Sequence, residues 1–304
     1  PGVRSSDLAR VIEAHESTCA FSREKLLCAK AICEARGFQV VHAIVDSFWI
    51  RKPGTTHEEI EALCGEIDAA TNLRIAVEGR YRWLALLPSR QNDELPVPNR
   101  YFGVFEDGSL KFRGIETRRS DQAPFVRRFQ WRLIDTLARA DDLAACRAMQ
   151  PQLAAMVREA EAAIRSGKVP VEQLLLSRKT SRAAEDYRSN HMVAVAVRQA
   201  KRAGLNLHAG ETVTFLVLHQ GDRDLDARLR LVELLQAADT YDQEFYVGQL
   251  HSAVATVLEP LFEQPLTRIL DVPNPPRRYC LSHDSRTEGS GLPEKTWQKI
   301  PIGA

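Results

Sequence analysis

The chain has 304 residues, 44% of them hydrophobic and 27% charged, with a formal net charge of +1. Those values describe one large globular domain or two ordinary ones, and they exclude a disordered chain. A sum so near zero excludes a uniformly basic nucleic-acid coat, although a local basic face stays open because binding follows charge distribution. The longest apolar runs, such as Leu84-Ala85-Leu86-Leu87, are far too short to span a bilayer, so no membrane partner is expected. The chain starts Pro1-Gly2-Val3-Arg4, without Met and without the basic-then-apolar pattern of a secretory leader. A trimmed chain or part of a longer one is the expectation. Cysteines stand at 19, 28, 33, 64, 146 and 280 with no Cys-x-x-Cys pair. They read as free thiols in a cytoplasmic protein, not as a zinc site.

Residues 7–35 are predicted helical, with Leu8, Val11, Ile12, Leu26, Leu27 and Ile32 at helical spacing and Gly37 as the stop. Residues 38–52 are dense in β-branched and aromatic residues and predict a strand or hairpin. Pro53-Gly54 is a turn, Thr55 or Thr56 a cap, and 58–70 a helix. Residues 73–77 and 81–87 are candidate strands, and 88–99 a polar loop containing prolines. Residues 101–105 and 110–115 flank Glu106-Asp107-Gly108-Ser109, a strong hairpin signal. Residues 124–164 read as amphipathic helix, divided at Pro151 and ended by Gly167.

In the second half, 173–177 predicts a short strand and 182–188 a helix. A further helix over 191–203 is expected to be capped by Asn190 and closed by Gly204. Residues 212–218 predict a strand, 225–236 is ambiguous, and 241–262 is a long helix. Residues 271–304, rich in Pro, Gly, Ser and charge, read as a mostly irregular tail.

One carboxylate stands in the middle of an otherwise apolar hairpin, in Val40-Val41-His42-Ala43-Ile44-Val45-Asp46-Ser47-Phe48-Trp49-Ile50. A buried, unpaired carboxylate is costly, so Asp46 needs a hydrogen-bond partner, a place at a turn, or a cation. Both a metal role and an ordinary turn role remain open on the residues alone.

Four segments in order, Arg10 to Glu24, Val40 to Ile50, Asn99 to Asp121 and Leu176 to Tyr246, together resemble family B DNA polymerases. Arg10-Val11-Ile12-Glu13-Ala14-His15-Glu16-Ser17, running into Phe21-Ser22-Arg23-Glu24, resembles the palm helix after the fingers. The hairpin resembles polymerase motif C, Tyr-Gly-Asp-Thr-Asp-Ser. Asn99-Arg100-Tyr101-Phe102-Gly103, with Gly114-Ile115-Glu116 and Arg119-Ser120-Asp121, is similar to the Lys-Lys-Arg-Tyr element and the strands beyond it. Leu176-Ser177-Arg178-Lys179-Thr180-Ser181, with Tyr187, Ala209-Gly210-Glu211-Thr212 and Tyr241-Asp242-Gln243-Glu244-Phe245-Tyr246, resembles the thumb. The resemblance covers roughly residues 8–262. It implies an α+β fold: an antiparallel palm sheet backed by helices, then a mainly helical thumb domain. The implied division is 1–167 for the C-terminal half of the palm, 168–264 for the thumb and 265–304 for an irregular tail.

The resemblance also implies chemistry. Nucleotidyl transfer uses two Mg²⁺ ions held by shared carboxylates. By position Asp46 matches the motif C aspartate that is catalytic and binds metal. Ile44 stands where the other motif C aspartate is expected, so the two-metal site is incomplete in this chain. The family's two lysines fall on Pro98 and Asn99. Asn99, Arg100, Tyr101 and Arg119 are implied DNA-binding residues, and so are Arg178, Lys179 and Arg182 in a locally basic stretch of the thumb. The bland reading of that stretch is a solvated helix face. The implied partners are primer–template double-stranded DNA, an upstream polymerase half or partner subunit, and dNTP only in the complete polymerase. The eroded motifs leave a second reading, a catalytically inactive DNA-binding or scaffold subunit. An unrelated α+β protein is the remaining alternative.

Overall fold

The structure, a computed structural model, describes residues 5–89, 96–205 and 207–271, with side chains from residue 12 onward. The chain forms two compact units. Among the described residues, the first comprises those up to Tyr81 together with Val97–Asn99; the second comprises the rest, from Arg82 to Asp271.

In the first unit α1 spans Ser5–Ala35. It stops where Gly37 takes a φ of 79° and the Phe38 amide donates back to the Cys33 carbonyl at 2.9 Å. Residues 12–24 of α1 are exposed, and its last turns are buried through Ala29 and Cys33. Strands β1 (Gln39–Ile44) and β2 (Ser47–Arg51) then form an antiparallel hairpin closed between Ile44 and Ser47. Helix α2 (His57–Thr71) is capped by Thr56, whose hydroxyl accepts from the Glu59 amide, and ends at Asn72 in the left-handed region. Ala29, Cys33, Phe38, Leu63 and Ile67 make the small core, with Phe48 and Ile50 packed against it. Lys52 fastens its edge. The ammonium lies 4.9 Å from the Phe38 ring centroid, donates to the Arg36 carbonyl at 2.9 Å and pairs with Glu59. Residues 73–77, expected as a strand, are irregular. Instead of joining a ladder, the Ile75 amide donates to Asp68 Oδ1 at 2.6 Å.

The next sheet, most of it in the second unit, is β3 (Tyr81–Pro88), β4 (Pro96–Phe105) and β5 (Leu110–Arg113), in the order β3-β4-β5. Part of the loop expected over 88–99 is therefore strand, and residues 90–95 of it lie outside the described residues. Helices α3 (Pro124–Leu137), α4 (Leu143–Ala148) and α5 (Gln150–Arg165) follow. Pro151 stands in the first turn of α5, where its missing N–H costs nothing. A second break, which the periodicity does not reveal, falls at 138–142. There the Ala138 and Ala140 carbonyls accept from Arg82 and from the Trp83 indole at 3.1 and 3.0 Å. Asp142 then caps α4.

Strands β6 (Leu176–Lys179), β7 (Thr212–Val217) and β8 (Leu229–Leu231) pair antiparallel in that order. The stretch expected to be mainly helical thus carries a three-stranded sheet beside α6 (Met192–Arg202) and α7 (Gln243–Phe262). Residues 182–188 hold one 3-10 turn, Ala184–Asp186, in place of the expected helix. The α6 cap is His191 and not Asn190. A last short helix, α8 (Leu266–Leu270), is buried through Leu266, Ile269 and Leu270, so the irregular tail does not start at 265. Its remainder, 272–304, lies outside the described residues.

A continuous core runs from Trp83 to Leu270, with α7 at its centre through Phe245, Tyr246, Leu250, Val254, Val257 and Leu261. Helix and antiparallel sheet together give the expected α+β class. No described helix is long and apolar enough to cross a membrane.

Candidate metal and nucleic-acid sites

The β1–β2 hairpin places Asp46 at its tip. A two-residue turn, Val45-Asp46, joins the strands, and Val45 has φ 53° and is 77% exposed. A β-branched residue in the left-handed region is a steric outlier. Asp46 is exposed, and its Oδ1 accepts from the Ser47 hydroxyl at 3.0 Å. Below the tip, the His42 ring packs 4.9 Å from Trp49, and its Nε2 lies 3.0 Å from the Pro98 carbonyl. That contact fixes Nε2 as the protonated nitrogen.

A two-Mg²⁺ site requires several carboxylate oxygens converging on both ions. The hairpin supplies Asp46 and, at the other motif position, the apolar Ile44. Among the described residues no group of three or more His, Cys, Asp or Glu side chains is placed to hold a metal ion. The donor set present does not fit the two-metal arrangement within this chain.

The residues expected to touch DNA separate by accessibility and partners. Asn99 is exposed on β4. Arg100 donates through Nε to the Gly114 carbonyl at 3.2 Å. Tyr101 is only 3% exposed, so its ring is a core residue and offers no surface to a duplex. Arg119 and Arg178 converge on one carboxylate. Asp121 accepts from Arg119 Nε and Nη2 at 3.0 and 2.8 Å, and from Arg178 Nη1 at 2.7 Å. The Arg119 hydrogen bonds hold Asp121 below the usual carboxylate range; burial opposes this and the Arg178 charge assists it. Both guanidinium groups thereby pair with Asp121, Arg119 while exposed and Arg178 while partly buried.

Lys179 and Arg182 are exposed and have no ion pair among the described residues. They flank a loop built around Tyr187, whose buried hydroxyl accepts from the Ser181 amide at 2.9 Å and whose ring stands edge-on to His191. Arg198 closes the loop, donating to the Tyr187 carbonyl at 2.6 Å and to Asn190 Oδ1 at 2.8 Å. Lys201 pairs with Glu185, and Arg202 with Asp226.

Sequence reading missed a buried polar cluster around Gln130. Gln130, fully buried in α3, accepts from the Thr117 amide and hydroxyl at 2.7 and 2.6 Å. Its amide donates to Glu116 Oε2 at 2.7 Å and to the Ala253 carbonyl of α7 at 2.8 Å. The signal was a glutamine on the apolar stripe Val126, Phe129, Leu133, Leu137, where only a satisfied polar group is tolerated.

Residues 7–261 match the model of DNA polymerase family B. Among curated relatives, a DNA polymerase of Archaeoglobus fulgidus is 22% identical over 261 residues, covering 80% of this chain and 31% of its own length. A DNA polymerase of Thermococcus kodakarensis is 26% identical over 255 residues, covering 81% of this chain and 14% of its own length. The family B DNA polymerase of the hyperthermophilic archaeon Pyrobaculum calidifontis superposes with a TM-score of 0.56 at 19% identity, over 81% of this chain and 30% of that one. The chain therefore spans about a third or less of these relatives. A match running through most of its residues, across both compact units, shows that the chain belongs to DNA polymerase family B.

Proposed function

We propose that this chain is the C-terminal palm and thumb part of a family B DNA polymerase and that it binds primer–template duplex. The family match over residues 7–261 carries the reading. In this proposal residues 1–167 are palm and 168–264 thumb. Lys179 and Arg182, exposed and without carboxylate partners among the described residues, meet backbone phosphates. Asn99 supplies a neutral hydrogen bond to the backbone in this proposal, beside Arg100, which donates to the Gly114 carbonyl. Arg119 and Arg178 serve by holding Asp121. Asp46 is the carboxylate this chain would contribute to a Mg²⁺ site, with the rest of the donor set, and the dNTP site, coming from polypeptide outside it.

The test has two readouts. Fluorescence anisotropy with a labelled primer–template should show binding that weakens linearly on a log–log plot against salt. Primer extension with Mg²⁺ and dNTPs should be absent for the chain alone. Robust extension would refute the assignment of the missing carboxylates.

A second reading, an inactive DNA-binding or scaffold subunit, is favoured by Ile44 at the motif position and by Pro98 and Asn99 in place of two lysines. Joining the chain to an upstream polymerase half and comparing it with Asp46→Ala separates the two. Extension lost in the variant supports the catalytic reading. Duplex binding without extension in both supports the scaffold.

A further inference from the structure

The cysteines among the described residues differ in access. Cys33 and Cys146 are buried, Cys28 and Cys64 are half-buried, and Cys19 alone of these is exposed. Burial pushes the Cys33 and Cys146 thiols up to about 11. It raises the Cys64 thiol as well, and Asp68 and Glu61 add to the effect. The thiolate is the nucleophile, so those three sulfurs are poor ones at neutral pH.

Cys19 has a second distinction. Its Sγ lies 3.7 Å from His15 Nε2, one turn earlier on α1. Both residues are exposed. The helix holds them together, because side chains four residues apart lie one above the other on one face. Glu16 stands three residues before Cys19 and Arg23 four after it, so one charge of each sign flanks the pair on that face. A solvent-open thiol within reach of an imidazole is the arrangement in which a base takes the proton as sulfur attacks. A structural metal would need further donors, and no group of three or more His, Cys, Asp or Glu among the described residues is placed to hold one. A covalent partner needs the single sulfur.

We propose that Cys19 is a modification site for small disulfides, with His15 as its general base. His15 Nε2 accepts the thiol proton and Cys19 Sγ attacks one sulfur of the disulfide. The new S–S bond forms as the old one breaks, and the departing thiolate takes the proton from the imidazolium. One thiol and one disulfide thus give one mixed disulfide and one free thiol, with no other oxidant. A second thiol reverses the step. The chemistry uses no residue assigned to duplex binding.

Glutathione disulfide is the probe. The folded chain is treated with it at neutral pH, sampled over time, and the adducts are mapped by peptide mass spectrometry. Wild type is compared with His15→Gln and Cys19→Ser, each checked for native circular dichroism. Cys19 should be modified first, and dithiothreitol should remove the adduct. His15→Gln should slow that adduct by about tenfold, less than an enclosed catalytic base supplies because the pair stands in water, and leave the Cys28 rate unchanged. A first adduct at any other cysteine, Cys280 included, overturns the site. Equal Cys19 rates in wild type and His15→Gln overturn the general base. Denaturing urea separates the pair, so in urea wild-type Cys19 should lose its lead over Cys28. A lead that persists there overturns the role of His15, even where a variant does not fold.

Discussion

Val45 carries a conformational cost that its position does not require. It stands at φ 53° in the β1–β2 turn and is 77% exposed, so it buries little in exchange. Left-handed backbone costs an L-residue about 1–2 kcal/mol, and glycine escapes most of that. Val45→Gly is expected to stabilise the protein by about 1 kcal/mol, seen as a higher urea midpoint at unchanged slope. A lower midpoint would sink the strain argument. The hairpin's place and its carboxylate were legible in the sequence, because Asp46 interrupts an apolar run. That Ile44, at the other motif position, cannot bind a cation was legible too. What was not legible was the fate of the arginines. Arg119, Arg178 and Lys179 look alike as charges, yet two share Asp121 and the third faces water. Only the distance from Asp121 to a strand 57 residues later decides this. Tyr101 went the same way: a motif tyrosine on a strand is equally a core residue, and burial settles which.

At the scale of elements, caps and carbonyl partners explain where reading by periodicity failed. α3 through α5 looks like one amphipathic run with a proline in it. The break at 138–142 depends on Arg82 and Trp83 taking carbonyls from a remote strand. Asn190 is a better cap than histidine by composition, but its side chain is drawn to Arg198, and His191 Nδ1 accepts from the Ala194 amide at 3.3 Å instead. Capping through Nδ1 requires a neutral ring. Burial lowers the His191 pKa first, and the Arg198 charge lowers it further. A histidine whose folded pKa lies below its unfolded value of about 6.5 contributes stability that is complete above that pH. The contribution is lost as pH falls through the folded pKa. Urea midpoints at pH 7.5 and pH 5 should therefore converge between wild type and His191→Ala at the acid end. At pH 7.5 the variant should be weaker by about 1 kcal/mol. A difference that is constant across this window, or that grows on acidification, would rule out the cap.

At the scale of the molecule, the sequence disclosed the α+β class and the family, because ordered motifs survive low identity. It did not disclose the cut between compact units, which falls at Tyr81 in the middle of what the motifs read as one palm. Hydrophobic pattern reports that a face is buried and not which neighbour buries it. The second unit is tied together by contacts of long sequence separation. Gln130 reaches the Ala253 carbonyl across 123 residues, and Gln150 reaches that of Ile269 across 119. Until α7 is present, Gln130 lacks the Ala253 carbonyl and Glu116 lacks the Thr256 hydroxyl, and closing such loops costs entropy before any contact rewards it.

That arrangement sets the order of events during synthesis. As the chain leaves the ribosome, β3 to α6 emerge without the helix that their apolar faces require, and they stay open to chaperones and to proteolysis. A chain ended at residue 236 should accordingly show helix by circular dichroism but no cooperative urea transition for residues 82–236, and a sharp transition would disprove it. The long buried helix α7 is thus expected to act as a timer: this unit commits to its fold only once residues 243–262 have been made.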